Sequence, residues 1–155
     1  MGFATAWQLS AVAAFWPIAG QKGASAFLPR EAVQPAIQRL KRRSEFLRIA
    51  GARRKSVTPG LILQALHRVT DGDRPGTVDT IGIGFTVSRR VGNAVARNRA
   101  RRRLKAAAEQ IFPIHAVAGI DFVVIGRAAT IKRPFAALLS DLETALKRLQ
   151  AYRDG

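Results

Sequence analysis

Residues 81–112 constrain the fold of this 155-residue chain most, because in them a strand pattern runs directly into a helix pattern. Apolar residues alternate with Gly, Thr and Ser over residues 81–88, and this period of two predicts a β-strand with one buried face. The other face carries Gly82 and Gly84, which have no side chains. We therefore expect a helix or a ligand to approach the sheet closely at these two glycines.

A helix is predicted to follow this strand after a short turn. Asn93 is a residue type favoured at helix N-caps, and it predicts a helix that runs to about Phe112. Small and apolar residues recur there at helical spacing and predict one buried stripe, formed by Ala96, Ala100, Leu104, Ala107, Ala108 and Ile111. Arginine and lysine cover most of the remaining circumference.

The other predicted elements surround this unit. A short helix has Ser44 as its N-cap and ends before Gly51, and a final amphipathic helix runs from Pro134 to about Tyr152. Further strands are predicted over residues 53–57, 61–69 and 121–127. Pro113 is expected to end the preceding helix. The predicted order is α-β-β-β-α-β-α, which is an α+β fold.

The chain carries 26 Lys and Arg against 10 Asp and Glu, a net charge of +16. Two windows, residues 39–55 and 89–105, together hold 16 of the basic residues and one acid, or +15. The other 121 residues hold 10 basic and nine acidic residues. An ordinary solvated face mixes signs, whereas runs of one sign repel themselves. The pattern indicates a polyanionic partner, either a nucleic acid or an anionic membrane surface.

Candidate catalytic groups are scarce in the sequence. The absence of cysteine excludes thiolate zinc sites and cysteine nucleophiles, and His67 and His115 have no ligand cluster near them in the chain. Asp71, Asp73 and Asp79 lie in a loop that contains Gly and Pro, where a turn role is expected. A hydrophobic content of 48% excludes a disordered basic tail. We predict a binding protein that supplies neither a catalytic residue nor a metal ligand.

Residues 1–36 differ from the rest of the chain. They are apolar and Ala-rich, contain both tryptophans and carry no charge before Lys22. We predict that they are an extension outside the domain, either poorly ordered or the product of an upstream start. A targeting segment and a packed part of the fold are the alternatives. The domain itself is predicted to span residues 37–152.

Residues 84–104 resemble the signature of the bacterial ribonuclease P protein family. The family pattern is a strand that ends in Val-Ser and two basic residues, then a Gly-Asn-Ala-Val turn, then a helix with Arg-Asn-Arg and further basic residues. All of these elements are present here in order. A looser resemblance covers residues 37–150. It implies a two-layer α/β sandwich with a left-handed βαβ crossover, an exception to the usual handedness.

The resemblance also implies a function and partners. In that family the catalytic RNA performs the cleavage and holds the Mg²⁺, while the protein binds this RNA and the 5′ leader of precursor tRNA. We therefore expect a subunit of a ribonucleoprotein endonuclease that removes tRNA 5′ leaders. It is expected to bind no cofactor itself, to act as one copy per RNA, and to reside in the cytoplasm away from membranes.

Two sets of residues follow from the resemblance. The RNA-binding set is Arg89, Arg90, Asn93, Arg97, Asn98, Arg99, Arg101, Arg102, Arg103 and Lys105. The leader-binding cleft, which the family places between the first helix and the sheet, holds Phe46, Gln64 and Phe85. Exposed aromatic side chains stack on unpaired bases of any sequence. Ala50 and Gln64 stand where relatives often carry aromatic residues, so less stacking is expected here.

Alternative interpretations exist for single residues and for the whole chain. Three of these residues have a structural role as the alternative to binding. Asn93 would only cap the helix, Arg97 would partly pack against the core, and Phe46 would belong to the core. A generic structural RNA-binding or ribosomal-type protein explains the charge equally well, but it does not explain the ordered pattern over residues 84–104. A membrane-surface protein explains the charge and the apolar N-terminus, but the Ala-rich stripe is too small to insert well into a bilayer.

Overall fold

The structure, a computed structural model, describes residues 35–68 and 79–154. The predictions for residues 1–34, and for most of the Asp-containing loop, therefore lie outside the described residues. The helices and strands are β1 (Ala36–Arg39), α1 (Arg43–Gly51), β2 (Lys55–Val57), β3 (Leu61–His67), β4 (Thr80–Val87), a 3₁₀ turn (Arg89–Val91), α2 (Ala94–His115), β5 (Ile120–Gly126), α3 (Ala129–Lys132) and α4 (Phe135–Arg148).

The five strands form one mixed sheet in the order β1-β4-β5-β3-β2. β4 runs parallel to both β1 and β5, whereas β3 runs antiparallel to both β5 and β2. The parallel neighbours β4 and β5 are joined through α2 and form a βαβ unit. This arrangement confirms the predicted α+β class. The left-handed sense that the resemblance implies for the crossover stays a prediction.

Helices cover the two faces of the sheet unequally. On one face α2 and α4 pack over the main core, in which the rings of Phe112 and Phe122 meet edge to face at 5.0 Å. On the other face the shorter α1 packs Ile49 against Leu40 and Val123. Because successive strand residues point to opposite faces, Phe122 and Val123 belong to different cores. A second, smaller layer of helix therefore lies opposite the main one.

The space above the two glycines of β4 is filled on the α1 face, and a helix approaches the sheet closely at Gly84, as predicted. A Cβ placed at Gly84 would lie 2.6 Å from Cε1 of Phe46, which comes from α1. A Cβ at Gly82 would overlap the carboxylate of Asp121, which pairs with Arg68 at 2.6 Å. A helix side chain and an ion pair therefore occupy the part of the strand that the sequence leaves bare.

The N-terminal part of the domain differs from the prediction in two respects. Strand β1 precedes the first helix and was not predicted. Its four residues are all exposed and pair only with the distant β4, so no local pattern marks them as a strand. Helix α1 begins at Arg43, and not after Ser44. Glu45 Oε2 accepts hydrogen bonds from the main-chain nitrogens of Lys41 and Arg42 at 3.0 and 3.1 Å, which moves the start upstream.

Two further differences lie in the C-terminal half. α2 continues through Pro113 to His115, because a proline in the last turn removes only one main-chain hydrogen bond and the Ala116 nitrogen still bonds to Phe112 O at 3.1 Å. The single turn α3 was not predicted. α4 ends at Arg148, earlier than predicted, because the chain then folds back and Tyr152 bridges to Ala116.

The contact between Gly84 and Phe46 makes a direct prediction about stability. We expect G84A to lower the free energy of unfolding by about 1–3 kcal/mol, because the new methyl group must displace the ring and with it α1. The matched control is G51A, at the end of α1, where a Cβ meets nothing within 4 Å. It should be neutral or stabilising by up to about 1 kcal/mol. Urea unfolding of both variants measures the difference, and equal stability of the two would contradict this packing.

Candidate nucleic-acid interface

The turn that leads into α2 fixes the direction of the helix. Gly92 follows the 3₁₀ turn, and its φ of +145° is a value that glycine tolerates and other residues rarely adopt. Asn93 Oδ1 then accepts a hydrogen bond from the main-chain nitrogen of Ala96 at 2.9 Å, which confirms the predicted N-cap. Both arginines of the turn, Arg89 and Arg90, are exposed. Asn93 itself therefore has a capping role in the described fold.

α2 buries one stripe of small and apolar residues and exposes most of its charged side chains. Four members of the predicted stripe are 0–1% exposed: Ala100, Leu104, Ala107 and Ala108. Within α2 itself, five members of the predicted RNA-binding set are exposed: Asn98, Arg99, Arg101, Arg102 and Lys105. Val95 is 73% exposed and shares a side of the helix with Arg99 and Arg102, which lie four and seven residues further on. We call the surface of Val95, Asn98, Arg99 and Arg102 the outer face of α2.

Three consecutive arginines of α2 have three different surroundings, because successive helical residues point about 100° apart. Arg101 lines a cavity at the edge of β4. Arg102 is exposed, and no acid of the described ranges pairs with it. Arg103 is half-buried, and its guanidinium donates hydrogen bonds to the main-chain oxygens of Ile131 and Arg133. The structure thus separates residues that the sequence places in one run.

Arg97 and Lys105 lie on the flank of α2 that includes Arg101, each four residues from it. Arg97 is half-buried, and its Nε is buried without a hydrogen-bond partner among the residues that the structure describes, in keeping with the packed alternative. Lys105 Nζ lies 3.6 Å from Glu109 Oε1, but both side chains are more than half exposed. Such a pair contributes little, so the lysine charge remains available to a partner.

The α1 face of the sheet is open next to Phe46. Register places Gly84, Val123 and Gln64 in one row across β4, β5 and β3, with Phe46 above the first of them. The next row towards the turn between β2 and β3 is Thr86, Ile125, Ile62 and Val57. Its two outer members are exposed and its two isoleucines are half-buried. We call this second row, together with Phe46, the cleft.

A cavity of about 350 Å³ lies at the β4 end of the cleft. β1 pairs with β4 only as far as Ile83, so the edge of β4 beyond it lacks a strand partner on this side within the described residues. The apolar and hydroxyl lining comes from Phe46, Phe85, Thr86 and Val87. The charged lining is Lys41, Arg43 and Arg101, with no acid among them. Three cations around one hollow suit a phosphate group.

The structure brings together only part of the predicted cleft set. Phe46 and Phe85 line the same cavity, although they come from opposite faces of the sheet, because the cavity wraps around the edge of β4. Gln64 is half-buried and lies two strands from Gly84, about 10 Å across the sheet. Sequence reasoning missed Lys41, Arg43 and Thr86 as lining residues. The dense basic window pointed to the two cations, but it did not distinguish them from their neighbours.

Histidine and acidic side chains are scattered over residues 35–68 and 79–154. Within these ranges no three His, Asp or Glu side chains cluster closely enough to hold a metal ion. His67 is exposed at the end of β3, and His115 stacks on Tyr152 with ring centroids 4.8 Å apart. Among the helices described, none is both long and apolar enough to cross a membrane.

Comparison with known proteins identifies a family. The sequence model of one protein family, Ribonuclease P, matches residues 35–150 of this chain. The chain is 54% identical over 120 residues to the ribonuclease P protein component of Paramagnetospirillum magneticum, a match that covers 76% of this chain and 86% of that one. It is 46% identical over 113 residues to the ribonuclease P protein component of Ruegeria pomeroyi, covering 72% and 86%.

Two solved structures share the fold at lower sequence identity. The RNase P protein of Staphylococcus aureus superposes with a TM-score of 0.60 at 23% identity, covering 74% of this chain and 97% of that one. The RNase P protein of Thermotoga maritima gives a TM-score of 0.57 at 23% identity, covering 72% and 96%. The family model and the curated relatives, with the fold in agreement, establish that this chain belongs to the ribonuclease P protein family.

Proposed function

We propose that this chain is the protein subunit of ribonuclease P, the ribonucleoprotein endonuclease that removes the 5′ leader from precursor tRNA. It binds the catalytic RNA through the outer face of α2 and the leader of the precursor in the cleft. The protein supplies contacts and orientation, and the catalytic RNA supplies the reaction and holds the Mg²⁺. The complex contains one protein per catalytic RNA and works in the cytoplasm.

The observation that carries this proposal is the exposed outer face of α2, whose two arginines form no ion pair with any residue that the structure describes. Arg99 and Arg102 lie beside Asn98 on one side of a helix whose opposite side is packed into the core. Arginine stays charged and pairs with phosphates through two parallel hydrogen bonds, so a row of arginines on a rigid helix suits a folded RNA backbone. Binding then releases the counterions that the phosphates had condensed.

The cleft supports a separate contact with unpaired nucleotides. Phe46 and Phe85 border the cavity, where the three cations Lys41, Arg43 and Arg101 surround space for a phosphate. The adjacent floor of Thr86, Ile125 and Ile62 offers a half-exposed, largely apolar surface. Stacking and charge contacts of this kind tolerate any base sequence. That tolerance fits a leader, which differs from one precursor tRNA to the next.

Reconstitution tests the proposed function directly. Precursor tRNA is incubated with a bacterial ribonuclease P RNA at low Mg²⁺, with and without the full-length protein. We expect faster cleavage at the leader junction with the protein, because its cations offset the phosphate repulsion that Mg²⁺ no longer screens. The control is a variant in which Arg99, Arg101 and Arg102 are replaced by Ala. Unchanged cleavage on addition of the wild-type protein would overturn the proposal.

The outer face of α2 makes a quantitative prediction about salt. Replacing Arg99 and Arg102 by Ala should flatten the slope of log K for the catalytic RNA against log salt by roughly 1.4–1.8, at about 0.7–0.9 for each lost phosphate contact. Lys147→Ala, at the end of α4, removes an exposed charge elsewhere and should leave the slope unchanged. A wild-type slope in the double variant would show that this face does not contact RNA.

A further inference from the structure

Arg103 differs from its neighbours in α2 because its guanidinium is used inside the protein. Its Nη1 and Nη2 donate to the main-chain oxygens of Ile131 and Arg133 at the end of α3. The last carbonyl groups of a helix lack partners within the helix, and an arginine that bonds to them caps that end. Arg103 therefore joins the RNA-binding helix to α3.

The contacts continue from α3 to the end of the sheet where β2 and β3 are joined. Arg133 Nε lies 2.6 Å from Asp141 Oδ2, and the same oxygen accepts a hydrogen bond from the Gly60 nitrogen at 3.0 Å. Thr130 Oγ1, which is fully buried, donates to Gly60 O at 2.6 Å. Gly60 lies in the turn between β2 and β3. A chain of polar contacts thus runs from α2 through α3 and α4 to that turn.

The two ends of this chain carry the two RNA surfaces. α2 presents its outer face at one end, and the turn at Gly60 connects the strands that contribute Val57 and Ile62 to the floor of the cleft. Thr130 and Asp141 are buried, and buried polar groups have low-energy positions only while their partners stay in place. These contacts therefore join the helix that carries the outer face to the turn beside the floor of the cleft.

We propose that Arg103 is a positioning residue that sets α2 against the sheet, so that the catalytic RNA and the leader are engaged at the same time. The inference rests on the proposed function and assigns Arg103 a role different from that of the exposed arginines beside it. A phosphate ligand at this position would release counterions when the RNA binds, whereas a positioning residue would not. It would instead alter how far binding of the catalytic RNA favours binding of the leader.

Two measurements on holoenzyme reconstituted with R103M separate these roles. Methionine keeps much of the apolar stem and removes every donor. We expect the salt slope for the catalytic RNA to stay at the wild-type value. The ratio of affinities for precursor tRNA with and without its leader should fall by roughly 2- to 30-fold, the range for substitutions that alter coupling between two sites. R102M is the matched comparison. Its slope of log K for the catalytic RNA against log salt should become less steep by roughly 0.7–0.9.

Two further variants keep the test decisive if R103M folds poorly. R103K retains a charged donor. Its ratio of affinities for precursor tRNA with and without the leader, called the leader ratio below, should therefore lie between those of R103M and the wild type. D141N weakens the ion pair with Arg133 and should lower the ratio without changing the salt slope, although it lies far from α2 in sequence. The inference would be overturned if the salt slope of R103M became less steep by as much as that of R102M. It would also be overturned if both R103M and D141N kept the wild-type leader ratio. Failure of the wild-type protein to stimulate cleavage would instead overturn the proposed function.

Discussion

The arrangement of this protein depends on how closely α2 packs against the sheet. Ala100, Ala107 and Ala108 are almost completely buried, so small side chains form part of the stripe by which the helix meets the core. The remaining circumference of the helix is then free to carry charge. A wider apolar stripe would bury more surface but would leave room for fewer cations. The helix thus combines a firm attachment to the core with a basic outer face.

The same packing divides a continuous run of arginines among different tasks. Arg101 turns towards the cavity at the edge of β4, Arg102 towards solvent, and Arg103 towards the carbonyl groups at the end of α3. Charge on one helix therefore faces the cavity, the solvent and the interior of the protein. Loss of any one of the three is expected to have a different consequence.

Local patterns in the sequence predicted most of the secondary structure around the interface. The strand β4, the cap at Asn93 and the buried stripe of α2 each depend on residues close together in the chain, and all three are present in the structure, although β4 is covered on both faces at residues 80–84. The close approach at Gly84 was also predictable, because a strand face without side chains must be filled by something else.

The parts that were missed depend on partners far away in the chain. β1 is a strand only because β4 pairs with it, more than 40 residues later. Nothing in a run of adjacent arginines shows that Arg103 meets carbonyl groups 28 and 30 residues on. Likewise, Lys41 and Arg43 reach the cavity through the fold of β1 and α1 around the edge of β4. Tertiary contacts, and not propensity, decide these positions.

The central claim is that the outer face of α2 and the cleft contact different RNAs. Because the chain contains no cysteine, T86C and V95C each give a unique site for a tethered hydroxyl-radical cleaving reagent. In the holoenzyme with precursor tRNA, the reagent at residue 86 in the cleft should cut the 5′ leader, and the reagent at residue 95 on the outer face should cut the catalytic RNA. Cleavage of the leader from residue 95, or of the catalytic RNA alone from residue 86, would contradict this division.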